Sequence, residues 1–375
     1  MFIEQAWRTI VAHGGGEPRR VLDLCAAPGG KSTLWRSLLP DETLLVANEP
    51  IRQRAQILAE NLTKWGHPAT VVTMAYPEEF APFHGYFDII GADVPCSGEG
   101  MFRKDEGARA EWSPEAVEHC AERQWQIVSD IWPTLRPGGW LVYSTCTFNP
   151  REDEEMVGRI CRELGATVVE IPVLPAWGIV GHYHFYPHRA EGEGFFLALL
   201  RKNDDGDAEA PVENVRPRKG KKAKEGKMPA VKNSGQVVKW LRNSDGFRIF
   251  RPSETHLAAI PKAFSDDAAA LSSRLHVLTA GILMAEEKGP KLVPQHALAL
   301  SEALSDEAFP RAELPRTDAL AYLRRESITL SSDVPRGYVV VTYQGVPLGF
   351  VNNLGQRANN LYPDAWKIRI QVPKD

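Results

Sequence analysis

Short apolar runs alternate with longer amphipathic segments from residue 20 to residue 201, and this alternation restricts the chain to a mainly parallel sheet with helices on both faces. Strands are predicted at 20–25, 43–48, 69–73, 86–92, 139–144, 167–172 and 195–201. Helices are predicted at 31–39, 51–65, 114–135 and 151–164, the third opening on Ser113-Pro114 with proline in its first turn. Sheets of this kind bind ligands beyond the carboxyl ends of their strands. The residues just after each strand therefore carry the functional argument. A further helix, Met1 to Val11, has apolar residues at helical spacing and no N-cap sequence before it, as expected of a chain that starts within a domain.

After the first strand the chain reads Cys25-Ala26-Ala27-Pro28-Gly29-Gly30-Lys31. Paired glycines let backbone approach a ligand, and the helix that follows offers free N–H groups and the positive end of its dipole. Glu49 ends the next strand about 20 residues on, the spacing at which dinucleotide-type folds place an acid on ribose hydroxyls. A ligand containing ribose is expected. Cys25 to Ser32 would also complete a phosphate-binding P-loop but for cysteine at the first glycine position, the residue that lets such a loop close round a phosphate. The plainest alternative is a turn that only packs helix on strand, which Glu49 weakens.

Two cysteines follow apolar strands, in Asp93-Val-Pro-Cys96 and Ser144-Thr-Cys146-Thr. Carbon 5 of cytosine is a poor nucleophile until a thiolate adds at carbon 6, and a carboxylic acid near ring nitrogen 3 stabilises that adduct. Asp93 with Cys96 and Cys146 supplies this chemistry, and the residues alone do not rank the two cysteines. Cys120 and Cys161 fall in helical patterns and read as packed hydrophobes. Cys25 reads as packed through its side chain, with its backbone near the ligand. His182, His184 and His188 lack paired cysteines and read as structural or RNA-facing; no metal site is expected.

The chain has 375 residues, enough for two or three domains. Five cysteines without disulfide spacing, and no signal peptide or long apolar span, suggest a reduced cytoplasmic protein without membrane attachment; a monomer is expected. The net charge of −4 gives no global basic signature, so any nucleic-acid contact must be local. Residues 203–234 pass from an acidic to a basic run and read as a disordered linker, either a solvated tether or a salt-sensitive grip on phosphates. Beyond it, Tyr338 to Val351 reads as a hairpin turning near Gln344-Gly345, then a polar loop from Asn352 to Asn360 and a last strand near 366–372.

The segments Asp23 to Lys31, Asn48-Glu-Pro50, Asp93 to Arg103 and Tyr143 to Thr147 closely resemble the Sun/Fmu family of RNA 5-methylcytosine methyltransferases, especially its RsmF-type members. The resemblance implies a Rossmann-like α/β methyltransferase domain over residues 1–202, a linker at 203–234, a connecting segment at 235–290 and a smaller β-rich, PUA-like RNA-binding domain at 291–375. It implies S-adenosylmethionine as cofactor, ribosomal RNA or an assembling subunit as partner, Cys146 as nucleophile and Cys96 as the residue that assists release. It places Lys31 and Asp93 in the catalytic site, and Cys25, Ala26, Ala27, Pro28, Gly29, Gly30, Lys31, Glu49, Tyr76 and Asp93 around the cofactor. Tyr76 stands where the family usually has an aspartate near adenine, and it can stack or donate but not accept as a carboxylate does. The N-terminal RNA-binding region of family members has no counterpart before Met1. These two departures keep a rival open, an RNA-binding or ribosome-assembly protein without catalysis.

Overall fold

The computed structural model describes residues 2–179, 183–190, 192–204, 231 and 235–370. Residues 205–230 and 232–234, most of the expected linker, lie outside the described residues, as do His182 and 371–375. The described residues fall into two compact units, one within Met1–Ala59, Val71–Gly226 and Ala270–Leu278, the other within Glu60–Thr70, Lys227–Ala269 and Thr279–Asp375.

The described residues up to 204 form α1 (Ile3–Ile10), β1 (Arg20–Asp23), α2 (Gly30–Leu38), β2 (Leu44–Asn48), α3 (Arg52–Trp65), β3 (Thr70–Thr73), β4 (Phe87–Asp93), α4 (Glu106–Glu111), α5 (Pro114–Ile131), β5 (Leu135–Thr145), α6 (Glu154–Leu164), β6 (Ala166–Val168), β7 (His184–Phe185) and β8 (Phe195–Lys202). The sheet runs from a strand containing Val277 and Leu278 through β3–β2–β1–β4–β5–β8–β6, with β7 also paired to β8. β1 is parallel to β2 and β4, and β4 to β5, while β8 runs antiparallel to β5. This is the Rossmann-like methyltransferase fold. The order reverses between β1 and β4, and a crevice opens at such a switch point beyond the carboxyl ends of the strands.

Burial explains the elements. Every residue of β2 is buried, as expected of a strand covered on both faces. α1 buries Ile3, Ala6, Trp7 and Ile10 at the spacing of one helical face, in a cluster with Val21, Trp35, Ile89 and Leu199. α5 is capped by Ser113, whose hydroxyl accepts from the Ala116 N–H at 3.1 Å.

Several elements depart from the sequence reading. α5 stops at Ile131 rather than 135, because Pro133 cannot donate and Trp132–Thr134 tightens into a 3-10 turn. β5 starts earlier, at Leu135; Gly138, at φ +66°, belongs to the strand and accompanies a bulge against β4. α6 begins at Glu154, since Asp153 has non-helical dihedrals and leaves Arg151 and Glu152 in the turn before it. The strand expected at 167–172 ends at Val168, where Ile171 turns inward and its N–H donates to the Tyr183 hydroxyl.

In the second unit an antiparallel sheet runs in the order Lys291–Pro294, Ile282–Lys288, His256–Pro261, Phe247–Phe250. Another sheet runs Arg311–Glu313, Gly337–Tyr343, Val346–Asn353, Ala358–Asn360. Ile249 and Met284 share one apolar cluster with Val340 and Phe350, so a common core spans the boundary expected at 290. The hairpin turns at Gln344 and Gly345, both with positive φ, as a two-residue turn requires. The expected polar loop 352–360 instead ends one strand and forms another, paired through Asn353 and Ala358. Asn353 is tolerated there because its side-chain amide donates to the Val334 and Pro335 carbonyls. The last strand expected near 366–372 is absent among the described residues, which hold a 3-10 turn at Asp364–Trp366. No helix among the described residues is long and apolar enough to cross a membrane.

Candidate active site

Three strand ends meet at the switch point. β1 delivers the glycine turn, β4 delivers Asp93 and the loop carrying Cys96, and β5 delivers Ser144 to Cys146. In the ladders Asp23 lies opposite Gly91, and Asp93 opposite Ser144.

Gly29 sits at φ +115° as the N-cap of α2, a conformation reserved in practice for glycine. A Cβ on Gly30 would meet no atom within 4 Å, so open space fronts the turn where the α2 N–H groups emerge. The Ala27–Pro28 peptide is cis. Beneath the turn Ser32 donates to Asp23 at 2.6 Å, and burial raises the Asp23 pKa to about 6. Glu49 is buried at the end of β2, accepting from the Ile51 N–H and lying 3.2 Å from Arg54. Behind it Asn48 ties three strand ends together. Its amide donates to the Leu24 and Ala75 carbonyls, and its oxygen accepts from the Thr73 hydroxyl and the Ala75 N–H. Tyr76, just beyond β3, is 54% exposed and its backbone N–H donates to Glu79. An open cradle at the glycine turn with a carboxylate at the next strand end fits a ribose-bearing ligand.

The Lys31 ammonium donates to Asp93 at 2.7 Å, and the other Asp93 oxygen accepts from the Ser144 hydroxyl at 2.8 Å. The sulfurs of Cys96 and Cys146 lie 3.0 Å apart. A hydrogen bond from Cys96 lowers the Cys146 pKa, with Lys31 acting in the same direction; the same bond, with burial, raises that of Cys96. The pair thus favours a Cys146 thiolate held by a Cys96 thiol. Cys25 is pushed up by burial, with Asp23, Asp93 and Glu49 adding to the effect, and stays a thiol.

Further bonds join the two cysteine loops. Ser97 and Thr147 hydroxyls are 3.1 Å apart, the Gly100 N–H donates to the Cys146 carbonyl, and Glu99 accepts from the Thr147 hydroxyl and the Phe148 N–H. The sequence reading missed Glu99, Gln124, Ser144 and Glu152. Glu99 lies within the Asp93–Arg103 motif, and Glu152 falls in the first turn of the helix expected at 151–164, where the local pattern carries no signal of burial.

Of the three histidines, His182 lies outside the described residues. His188 is exposed, whereas His184 is buried against Asp153 and Glu154, with Nε2 at 2.7 Å from Glu154 and Nδ1 at 3.8 Å from Asp153. These three side chains lie within 4.8 Å of one another, a grouping compatible with a cation, although the Glu154 bond already occupies one face of the imidazole. Burial raises the Asp153 pKa to about 9.

Residues 14–201 match the family described as 16S rRNA methyltransferase RsmB/F, and residues 309–368 match the methyltransferase RsmF PUA domain. The chain belongs to the RsmB/F family. RsmB/F relatives include the ribosomal RNA small subunit methyltransferase F of Erwinia tasmaniensis, 32% identical over 93% of this chain and 74% of that protein. The protein of the same name from Serratia proteamaculans is 31% identical with the same coverage. Among solved structures, NSun6 from Pyrococcus horikoshii with SFG is 27% identical over 54% of this chain and 52% of that one, at a TM-score of 0.46. S-adenosylmethionine is the cofactor of RsmB/F enzymes, and the glycine cradle with Glu49 fits its ribose-bearing half.

Proposed function

We propose that this chain transfers a methyl group from S-adenosylmethionine to carbon 5 of a cytosine in ribosomal RNA through a covalent adduct on Cys146. The observation that carries the reading is the pair of sulfurs 3.0 Å apart at the ends of adjacent strands, beside the Lys31–Asp93 pair. The relatives named ribosomal RNA small subunit methyltransferase F support the substrate class. Residues 25–31, with Glu49 and Tyr76, would hold the cofactor, which supplies an electrophilic methyl group.

Cys146 attacks carbon 6 as the thiolate, forming a carbon–sulfur bond and pushing the ring electrons toward carbon 5 and nitrogen 3. Asp93, held in place by Lys31 and Ser144, would act in its protonated form, its carboxylic acid donating its proton to nitrogen 3 as charge develops there and recovering it when the double bond re-forms. After carbon 5 has gained its methyl group, its proton leaves to water and the double bond re-forms. The carbon–sulfur electron pair returns to Cys146, and the Cys96 thiol hydrogen-bonds the departing sulfur. The PUA-like segment would grip the RNA.

The test is methyl incorporation into bacterial ribosomal RNA or small subunits, with adducts scored on denaturing gels. Cys146→Ala is expected to abolish both transfer and adduct, and Cys96→Ala to accumulate adduct. Wild-type turnover by Cys146→Ala would sink the mechanism, and a folded wild type that binds RNA but transfers nothing would favour the non-catalytic rival.

A further inference from the structure

Glu152 is fully buried in the turn before α6, and its hydrogen bonds come from neutral donors. Its carboxylate accepts from the Ser97 N–H at 3.0 Å, the Gln124 amide at 2.6 Å and the Asn149 amide at 2.7 Å. Ser97 directly follows Cys96. The same Gln124 amide donates at 2.9 Å to the carbonyl of Pro95, which directly precedes Cys96. One carboxylate and one amide thus hold the backbone on both sides of a single cysteine.

The other end of the network belongs to the Cys146 strand. The Tyr143 hydroxyl shares its one proton between the Glu152 carbonyl at 2.8 Å and the Gln124 oxygen at 3.1 Å, and Asn149 reaches the Thr147 hydroxyl at 3.0 Å. Burying a carboxylate is costly unless hydrogen bonds satisfy it. What the acid provides is an acceptor-only group facing three donors, a role no neutral side chain of this length reproduces. An amide here would set an NH2 against a donor. Flipping Gln124 to receive it would turn its oxygen toward the Pro95 carbonyl and release the Cys96 loop.

We propose that Glu152 is a positioning residue that fixes Cys96 at its working distance from Cys146. The proposal rests on the adduct mechanism above. It predicts a defect in adduct release, since the network clamps the residues flanking Cys96 more directly than Cys146.

The experiment uses the full chain with ribosomal RNA and S-adenosylmethionine, measuring kcat, KM for RNA, cofactor affinity by calorimetry and adduct on denaturing gels. Glu152→Gln is expected to lower kcat by about ten- to a hundredfold, the cost of a misplacement of about 1 Å. KM for RNA should fall in step with kcat, as it does when release becomes the slow step, leaving kcat/KM and cofactor affinity unchanged, and adduct should build up toward the Cys96→Ala level. Adding Glu152→Gln to Cys96→Ala should leave the adduct level of Cys96→Ala unchanged, and Glu152→Asp should restore part of the turnover. Wild-type kcat in Glu152→Gln, or a fall in kcat without adduct, would overturn the proposal. If Glu152→Gln does not fold, Gln124→Ala decides, with adduct build-up supporting the proposal and wild-type behaviour overturning it. Absence of adduct in Cys96→Ala would instead fail the underlying mechanism.

Discussion

Replacing Asn48 by alanine removes a side chain that is 1% exposed and makes four hydrogen bonds: to the Leu24 and Ala75 carbonyls at 3.1 and 2.9 Å, and from the Thr73 hydroxyl and the Ala75 N–H at 2.8 and 3.1 Å. All four partners lie at strand ends under the cofactor cradle. A net contribution of about 1 kcal/mol per bond, with a further penalty for the donors left unpaired, gives a loss of roughly 3–5 kcal/mol. Against a typical domain stability of about 5–15 kcal/mol that is a large share. At about 2–4 °C per kcal/mol for a domain of this size, the first unit should melt roughly 10 °C lower. Differential scanning calorimetry would read the transition, and titration with S-adenosylmethionine would read the site. Affinity should also fall, because Glu49 directly follows Asn48 and Tyr76 directly follows Ala75. Asn48→Asp sharpens the test: its carboxylate would face two carbonyls, so it should be least destabilising below about pH 4, where the acid is protonated in both states, and lose stability as the pH rises. A shift of less than about 2 °C in Asn48→Ala would refute the reasoning, because these four bonds would then carry no net stability.

Asp153, with its pKa raised to about 9, holds a proton in the folded state that it loses when unfolded near pH 4, so stability should fall between those values as the pH rises. Asp153→Asn keeps an acceptor for the Thr145 hydroxyl, now 2.7 Å away, and should raise the melting temperature at pH 8 and flatten that slope; an unchanged pH profile would contradict this. Lys31→Met removes a cation that lowers the Cys146 pKa, so the pH profile of Cys146 alkylation should move alkaline, with mass spectrometry separating it from Cys96. Gly349→Ala would set a Cβ 2.2 Å from the Tyr322 hydroxyl at a φ of +145°, and should destabilise the second unit by about 1–3 kcal/mol or more, visible as an earlier melting transition.

The sequence by itself determined the order of the main strands and helices in the first unit, though not α4 or β7, together with the glycine turn, Glu49 and both cysteine loops. Each is written locally, in apolar runs, a glycine pair or a residue just past a strand, and local patterns survive without knowledge of the fold. Element ends were legible only to within a few residues, because Gly138 and Asp153 act through particular backbone dihedrals. The polar strand through Asn353 and Ala358 could not be read from hydropathy, since Asn353 is satisfied by carbonyls at Val334 and Pro335, a pairing that exists only once the sheet has formed. The tertiary structure alone decided how the motifs combine. Strand register brings Asp93 beside Ser144 and sets the Cys96 and Cys146 sulfurs 3.0 Å apart across 50 residues of chain, a contact that pushes the Cys146 thiol down and the Cys96 thiol up. It also makes Glu152 a buried acceptor between two loops. Charge and hydrogen-bond effects depend on distance through space, and only the folded sheet fixes those distances.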